Sequence, residues 1–450
     1  MKTNDRNPSV YGTLSSTRTL KPLRDLCVQK IGIQTGPFGS QLHNSDYVSI
    51  GVPIITVEHL GENIIDGKDA PLVSTEDAAR LARYTLETGD IVFSRVGSVD
   101  RRSIVSTSQR GWLFSGRLLR VRPNHELVNS TFLSYFFGLE SFKSYIRSIA
   151  VGATMPSLNT ELLSTVPVIV PAMEEQKVIA AVLASLDDKI RLNTEMSKTL
   201  EAIAQTIFKS WFIDFDPVHA KMRGEKPEGM DDTTAALFPD SFEESELGLI
   251  PKGWEVKSLD SVVTLISGGT PKTGNPNYWD GGIPWYSVAD RTGRGQCFFL
   301  ETAKTISRQG LDSSAANLVR KGITIISARG TVGELMLTAS DATFNQSCFG
   351  VEGTWGDYTT YLLLQTSVQR LKAISHGGMF DTINRSSFKG IQVICPSELL
   401  TFAHELNIQP LFEQILALQM EKQLLSAIRD TLLPRLISGE LQIPDEMLAS

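Results

Sequence analysis

Two stretches of the chain carry apolar residues at helical spacing for longer than one globular helix needs. In the first, Ile179, Val182, Leu186, Met196, Leu200, Ile203 and Ile207 fall three or four apart, with Lys189 and Asn193 at the two polar seam positions. In the second, Leu411, Leu418, Leu425, Ile428 and Leu432 share a seam with Asn407 and Gln414. A stripe sustained over so many turns predicts long amphipathic helices with coiled-coil character, over 172–213 and 398–438. Glu174 and Glu175 stand where the first helix dipole favours anions. Forty residues of helix span about 60 Å. The simplest way to cover both stripes is to pack the helices on each other, antiparallel; the other reading is two core helices in separate domains.

Short β-branched or apolar runs bounded by Gly or Pro predict strands, among them Ile91–Phe93, Leu118–Arg122, Val166–Val170, Ile323–Ile326 and Ile391–Ile394. Phe132–Ile149 and Tyr358–Ile374 read as helices. Polar composition predicts a loose arm over 1–17 and a linker over 214–253; residues 439–450 are read as a tail.

The chain repeats itself. Residues 152–212 match 377–437 without a gap, with identical pairs that include Gly152/Gly377, Asn159/Asn384, Pro171/Pro396, Leu186/Leu411, Ile190/Ile415, Leu200/Leu425 and Thr206/Thr431. More loosely, Gly51-Val52-Pro53 answers Gly282-Ile283-Pro284, and Ser94-Arg95-Val96-Gly97-Ser98-Val99 answers Ser327-Ala328-Arg329-Gly330-Thr331-Val332. The predicted architecture is α+β: two tandem related domains, 1–171 and 254–397, each followed by a long helix, in a pseudo-two-fold internal repeat.

Charge follows the same division. The net charge of −7 resolves into +4 over 1–150, −9 over 151–250, +3 over 251–397 and −5 over 398–450. Mildly basic domains alternate with acidic segments, and nucleic-acid contact needs only local positive charge. The four cysteines are widely spaced, which fits a reduced compartment better than disulfides or zinc. With no signal-like or membrane-spanning apolar run, a soluble cytoplasmic protein is expected.

Catalytic signatures are missing. There is no phosphate loop, no dinucleotide fingerprint and no H-E-x-x-H. The six histidines do not cluster, so no metal is expected. Asp214-Phe215-Asp216-Pro217 comes nearest to an amino-methyltransferase motif but lacks its second proline and aromatic. A binding module is the better reading.

The sequence resembles the specificity subunits of type I restriction–modification systems over nearly its whole length. Gly36-Pro37-Phe38-Gly39-Ser40 and Ser267-Gly268-Gly269-Thr270-Pro271-Lys272 open the two domains, and the Gly-x-Pro and Ser-x-x-Gly motifs follow in order. Pro171-Ala172-Met173-Glu174-Glu175-Gln176 enters the first helix and Trp211-Phe212-Ile213-Asp214-Phe215-Asp216-Pro217 leaves it. The second helix departs from this pattern, since no Glu-Gln pair follows Pro396-Ser397-Glu398.

The resemblance implies two target-recognition domains joined by antiparallel helices and no catalytic site on this chain. It implies double-stranded DNA, two modification subunits and motor–nuclease restriction subunits as partners. S-adenosylmethionine, ATP and Mg then belong to those partners. Differing domains imply an asymmetric bipartite target, with the helices setting the unread spacer. A stand-alone coiled-coil DNA-binding or scaffold protein is the alternative of another class.

Candidate DNA contacts are Ser40, Ser94, Arg95, Arg101, Arg102 and Arg117 in the first domain, and Thr270, Lys272, Arg291, Arg294 and Arg329 in the second. Arginine can pair bidentately with guanine, while a lysine in a glycine-rich loop suits phosphate equally. Gly97 and Gly330 serve either close DNA approach or tight turns. Ile207, Phe208, Trp211 and Phe212, with Leu432, Leu433 and Leu436, crowd the helix ends and are candidates for docking the modification subunit.

Overall fold

The computed structural model describes residues 6–39, 41–152, 154–290, 296–375 and 382–448. The chain forms two compact units, residues 1–189 with 425–450 and residues 190–424. Each long helix contributes one end to each unit.

In the first unit an antiparallel sheet runs Ile33–Thr35, Leu118–Val121, Ile91–Ser94, Arg102–Ile104 in spatial order. Every residue of its two central strands is buried. The alternation of strand side chains explains why. Ile91, Phe93, Leu119 and Val121 join the core around Phe132, Phe136 and Phe142, while Val92 and Leu118 face a second core around Ile54, Tyr84 and Phe114. Arg120, on the second face, is buried; its guanidinium donates to the Ile31 carbonyl at 2.9 Å and to Gln34 Oε1 at 2.8 Å.

The second unit repeats this plan. Val263–Ser267, Cys348–Gly353, Thr324–Ser327 and Leu335–Thr338 take the same order, with Phe298–Phe299 added at the edge. The registers correspond: Leu118 pairs with Ser94 as Cys348 pairs with Ser327, and Thr35 with Leu119 as Ser267 with Phe349. The repeated asparagines are helix caps. Asn159 Oδ1 accepts from Leu162 N at 2.7 Å, and Asn384 Oδ1 from Ser387 N at 3.1 Å.

The long helices run Met173–Phe212 and Glu398–Ser438. Within each unit their segments are antiparallel. Asp187 meets Arg429 in the first unit; Asn193 meets Glu421, and Phe208 and Phe212 meet His404, in the second. The buried stripe of the first helix differs from the predicted seam. It runs through Ile179, Leu183, Asn193, Ser197, Ala204 and Phe208, whereas Met196 and Ile203 are exposed. In the second helix Ile408, Phe412, Ile415 and Leu418 are buried, while Ile428 and the expected seam residues Asn407 and Gln414 are exposed.

The missing Glu-Gln pair of the second helix has a replacement. In the first unit Gln176, buried, accepts from Asn129 N and donates to the Pro171 carbonyl. In the second, Glu405 accepts from Tyr358 N and Thr359 N, capping the helix Asp357–Ser375 from one turn further along.

Two segments expected to be a loose arm and a linker are folded, and the tail packs as well. The supposed arm holds a hairpin, Arg6–Ser9 with Gly12–Ser15, and Tyr11 packs edge-on against Phe136. The supposed linker holds helices Asp216–Met222 and Asp232–Ala236 and a hairpin, Phe242–Ser245 with Gly248–Pro251. Phe215, Val218 and Phe238 tie it into the core. The two hairpins share one turn: Ser9 Oγ donates to the Gly12 carbonyl at 2.7 Å, as Ser245 Oγ does to the Gly248 carbonyl at 2.7 Å. In the tail, Leu441, Ile443 and Leu448 pack on the first core. The predicted helix Phe132–Ile149 is two, Ser130–Phe136 and Glu140–Ile149.

Candidate nucleic-acid interface

At one end of each sheet three loops meet. The glycine-rich motif lies against the turn that enters the next strand: a Cβ on Gly36 would stand 2.2 Å from the Ser115 carbonyl oxygen, and one on Gly268 would stand 2.1 Å from that of Asn345. The Ser-x-x-Gly turn joins them through Arg95 N to Arg117 O at 2.8 Å, matched by Ala328 N to Ser347 O at 2.7 Å. The third loop donates Leu158 N to Arg95 O at 2.9 Å, matched by Ile383 N to Ala328 O at 3.0 Å.

Gly97 and Gly330 have φ of 79° and 77°, a region that side chains disfavour, and nothing lies within 4 Å of a Cβ built on either. Backbone conformation, not crowding, requires glycine there. Ser94 and Ser327 complete the turns from within. Ser94 Oγ donates to the Val96 carbonyl at 3.0 Å and Ser327 Oγ to that of Thr331. Ser94 is wholly buried, so it builds the turn and offers nothing to a ligand, which corrects its place among the candidate contacts.

The first cluster gathers three arginines. Arg101 and Arg117 are exposed and Arg95 is partly so. The backbone explains the grouping: Arg117 and Arg101 lie opposite Arg95 and Ser94 across the sheet end. Arg102 is corrected. Strand alternation turns it inward, where Nε donates to the Ser134 carbonyl at 3.1 Å and Nη1 pairs with Glu62 at 2.8 Å. Burial lowers its pKa against the raising effect of Glu62. Phe38, not among the candidates, is exposed beside Arg95. Ser40 lies outside the described residues.

The second cluster presents other groups. Lys272 and Arg329 are exposed, and Thr270 Oγ1 is hydrogen-bonded to Gln346 Oε1. Arg329 is the counterpart of Val96, not of Arg95, so the two arginines leave the turn one residue apart. Arg385, which sequence reading passed over, donates to the Leu265 carbonyl at 3.1 Å below the same loops. Arg291 and Arg294 lie outside the described residues.

The helix-end docking candidates are mostly core. Phe208, Trp211 and Phe212 are buried among Phe238, Trp254, Trp355 and His404. Leu436 is buried too, while Ile207, Leu432 and Leu433 are partly covered. Large rings at a helix end bury more area against the folded 214–253 segment than a lone helix would offer, which sequence could not show. Among the described residues no group of His, Cys, Asp or Glu could hold a metal ion, and no helix is long and apolar enough to cross a membrane.

Two copies of one α+β domain, each ending in a loop cluster with its own exposed side chains and each built onto long helices, define a tandem recognition-domain protein. Residues 31–202 and 251–398 match the type I restriction modification DNA specificity domain, and the chain belongs to that family. The Type I restriction enzyme HindI specificity subunit of Haemophilus influenzae is 28% identical over 414 residues, covering 82% of this chain and 90% of that protein. The MjaIX specificity subunit of Methanocaldococcus jannaschii is 29% identical over 326 residues, 71% of this chain and 70% of the relative. The S subunit of a type I restriction–modification system from M. genitalium has the same fold, with a TM-score of 0.57 at 13% identity over 97% of both chains.

Proposed function

We propose that this chain is the part of a type I restriction–modification complex that reads double-stranded DNA, one half of an asymmetric bipartite target per unit. The observation that carries this is the loop cluster itself. It occurs twice in one backbone register, yet presents exposed Arg101 and Arg117 with half-buried Arg95 in one copy, and exposed Lys272 and Arg329 with half-buried Thr270 in the other. A conserved frame with exchanged side chains is what reading two different sequences requires.

Adenine methylation and DNA cleavage then lie on partners: two modification subunits that bring S-adenosylmethionine, and restriction subunits that bring ATP and Mg. Those partners have exposed apolar helix surface to meet, including Leu192, Met196 and Ile203 on the first helix. The test is a long-read methylation map of host DNA with and without this gene. A split adenine-methylated motif that vanishes on deletion supports the function. A motif that persists overturns it.

A further inference from the structure

The two loop clusters correspond position by position. The strand registers make Ser94 equivalent to Ser327, Leu118 to Cys348 and Thr35 to Ser267. Counting outward from these pairs, Phe38 corresponds to Thr270, Arg95 to Ala328 and Gly116 to Gln346. The three positions are neighbours in both units, but different side chains fill them.

In the first unit the long side chain stands on the Ser-x-x-Gly turn. The Arg95 guanidinium carbon lies 5.8 Å from the centre of the Phe38 ring, and Nη1 donates to the Gly116 carbonyl at 3.3 Å. Position 116 cannot carry a side chain, because a Cβ there would stand 2.3 Å from the Pro37 carbonyl oxygen. In the second unit the arrangement is exchanged. Ala328 has no reach, and the long side chain is Gln346, exposed, with its Oε1 tied to the Thr270 hydroxyl.

At these three positions each cluster therefore holds one long hydrogen-bonding side chain, oriented by one neighbour from the glycine-rich loop. Orientation before binding lowers the rotamer entropy lost on contact. A guanidinium matches the O6 and N7 acceptors of guanine in the major groove; a carboxamide matches the N6 donor and N7 acceptor of adenine. The Thr270 hydroxyl, by donating to Oε1, fixes which end of the Gln346 amide accepts and leaves Nε2 to donate.

We propose that these three equivalent positions determine specificity in each unit, with Arg95 selecting guanine in one half-site and Gln346 selecting adenine in the other. This rests on the DNA-reading function proposed above.

The experiment is methylation mapping by the intact complex carrying wild-type chain, R95A, R95K, Q346A or Q346E. In R95A, preference for guanine at one position of one half-site is expected to fall about tenfold or more, with the other half-site unchanged. Q346A is expected to do the same for adenine in the other half-site, and Q346E to shift the choice toward cytosine, whose N4 amine a carboxylate accepts. The unaffected half-site reports in each case that the chain is folded. A wild-type motif unaltered in R95A and Q346A overturns the assignment alone, as does a first half-site without guanine. A wild-type complex with no split motif overturns the DNA-reading function together with it.

Discussion

Asp187 on the first long helix accepts two hydrogen bonds, from Arg429 Nη1 on the second helix at 2.7 Å and from the Tyr135 hydroxyl at 2.6 Å. In the second unit the repeat puts Phe412 in the place of Asp187 and Ala204 in that of Arg429, and Phe412 lies flat on Tyr358 at 4.6 Å. One junction is thus ionic and the other aromatic. Asp187→Ala should destabilise the first unit by about 1–3 kcal/mol, because the Tyr135 hydroxyl and Arg429 Nη1 lose their acceptor, although Arg429 keeps its pair with Asp430. Urea unfolding of wild type and variant, repeated at high salt, measures this. A loss that shrinks with salt is expected; no loss would mean that the ion pair is dispensable.

Trp211 stacks edge-on against Phe238 and His404 at 5.2 Å each. Trp211→Ala should therefore cost about 3–5 kcal/mol, as for other large core aromatics. Thermal unfolding with a probe in the second unit checks it. A fold of unchanged stability, with loss only of subunit association, would restore Trp211 to a docking role.

His404 is wholly buried beside three aromatic rings, with Nδ1 hydrogen-bonded to Thr359 Oγ1 at 2.8 Å. Burial pushes its pKa from the ordinary 6.5 down to about 3. Between those values the unfolded chain binds a proton that the folded chain refuses. Stability from this group is full above the ordinary value and falls as pH drops, by about 1.4 kcal/mol per pH unit. The same urea titration at several pH values from 4 to 7 should give a shallower slope in His404→Gln. Equal slopes would remove His404 as the source.

Arg101 and Arg117 are exposed at the sheet end. If they meet phosphates, the double variant R101A/R117A should weaken binding to all DNA alike and reduce the slope of log K against log salt by about 2. Fluorescence anisotropy over a salt series reads the slope. An unchanged slope with altered sequence preference would make them base readers.

Arg329 stands beside Gly330 on the second turn and is exposed. Arg329→Ala should relax or abolish recognition at one half-site, at a cost of about 1–3 kcal/mol if it contacts a base. Mapped methylation sites give the answer, and equal loss at both half-sites would count against independent reading by the two units.

What the sequence made legible is what the repeat carries. Asn159 and Asn384 are the same helix cap, and Gly97 and Gly330 hold the same positive φ. The rest depended on contacts distant in sequence. The polar stretch 214–253 reads as a linker because its few apolar residues, Phe215, Val218 and Phe238, find their partners only in the folded core. Arg101 and Arg102 are indistinguishable as adjacent cations until Arg102 pairs with Phe93 and turns to the same core, while Arg101 lies just outside the strand and is exposed. One signal was available and missed: Ser9-x-x-Gly12 and Ser245-x-x-Gly248 share a spacing that extends the repeat to the hairpins.

The first unit takes residues from both ends of the chain, whereas the second is the continuous stretch 190–424. Arg18, near the start, donates to the carbonyls of Leu436 and Ile437 at 3.1 Å each, closing the end of the second long helix. On the ribosome those carbonyls are made after the whole of the second unit. The first unit therefore waits, with its sheet already made, until the end of the second long helix has been added. The order of synthesis leaves the domain encoded first to be finished last.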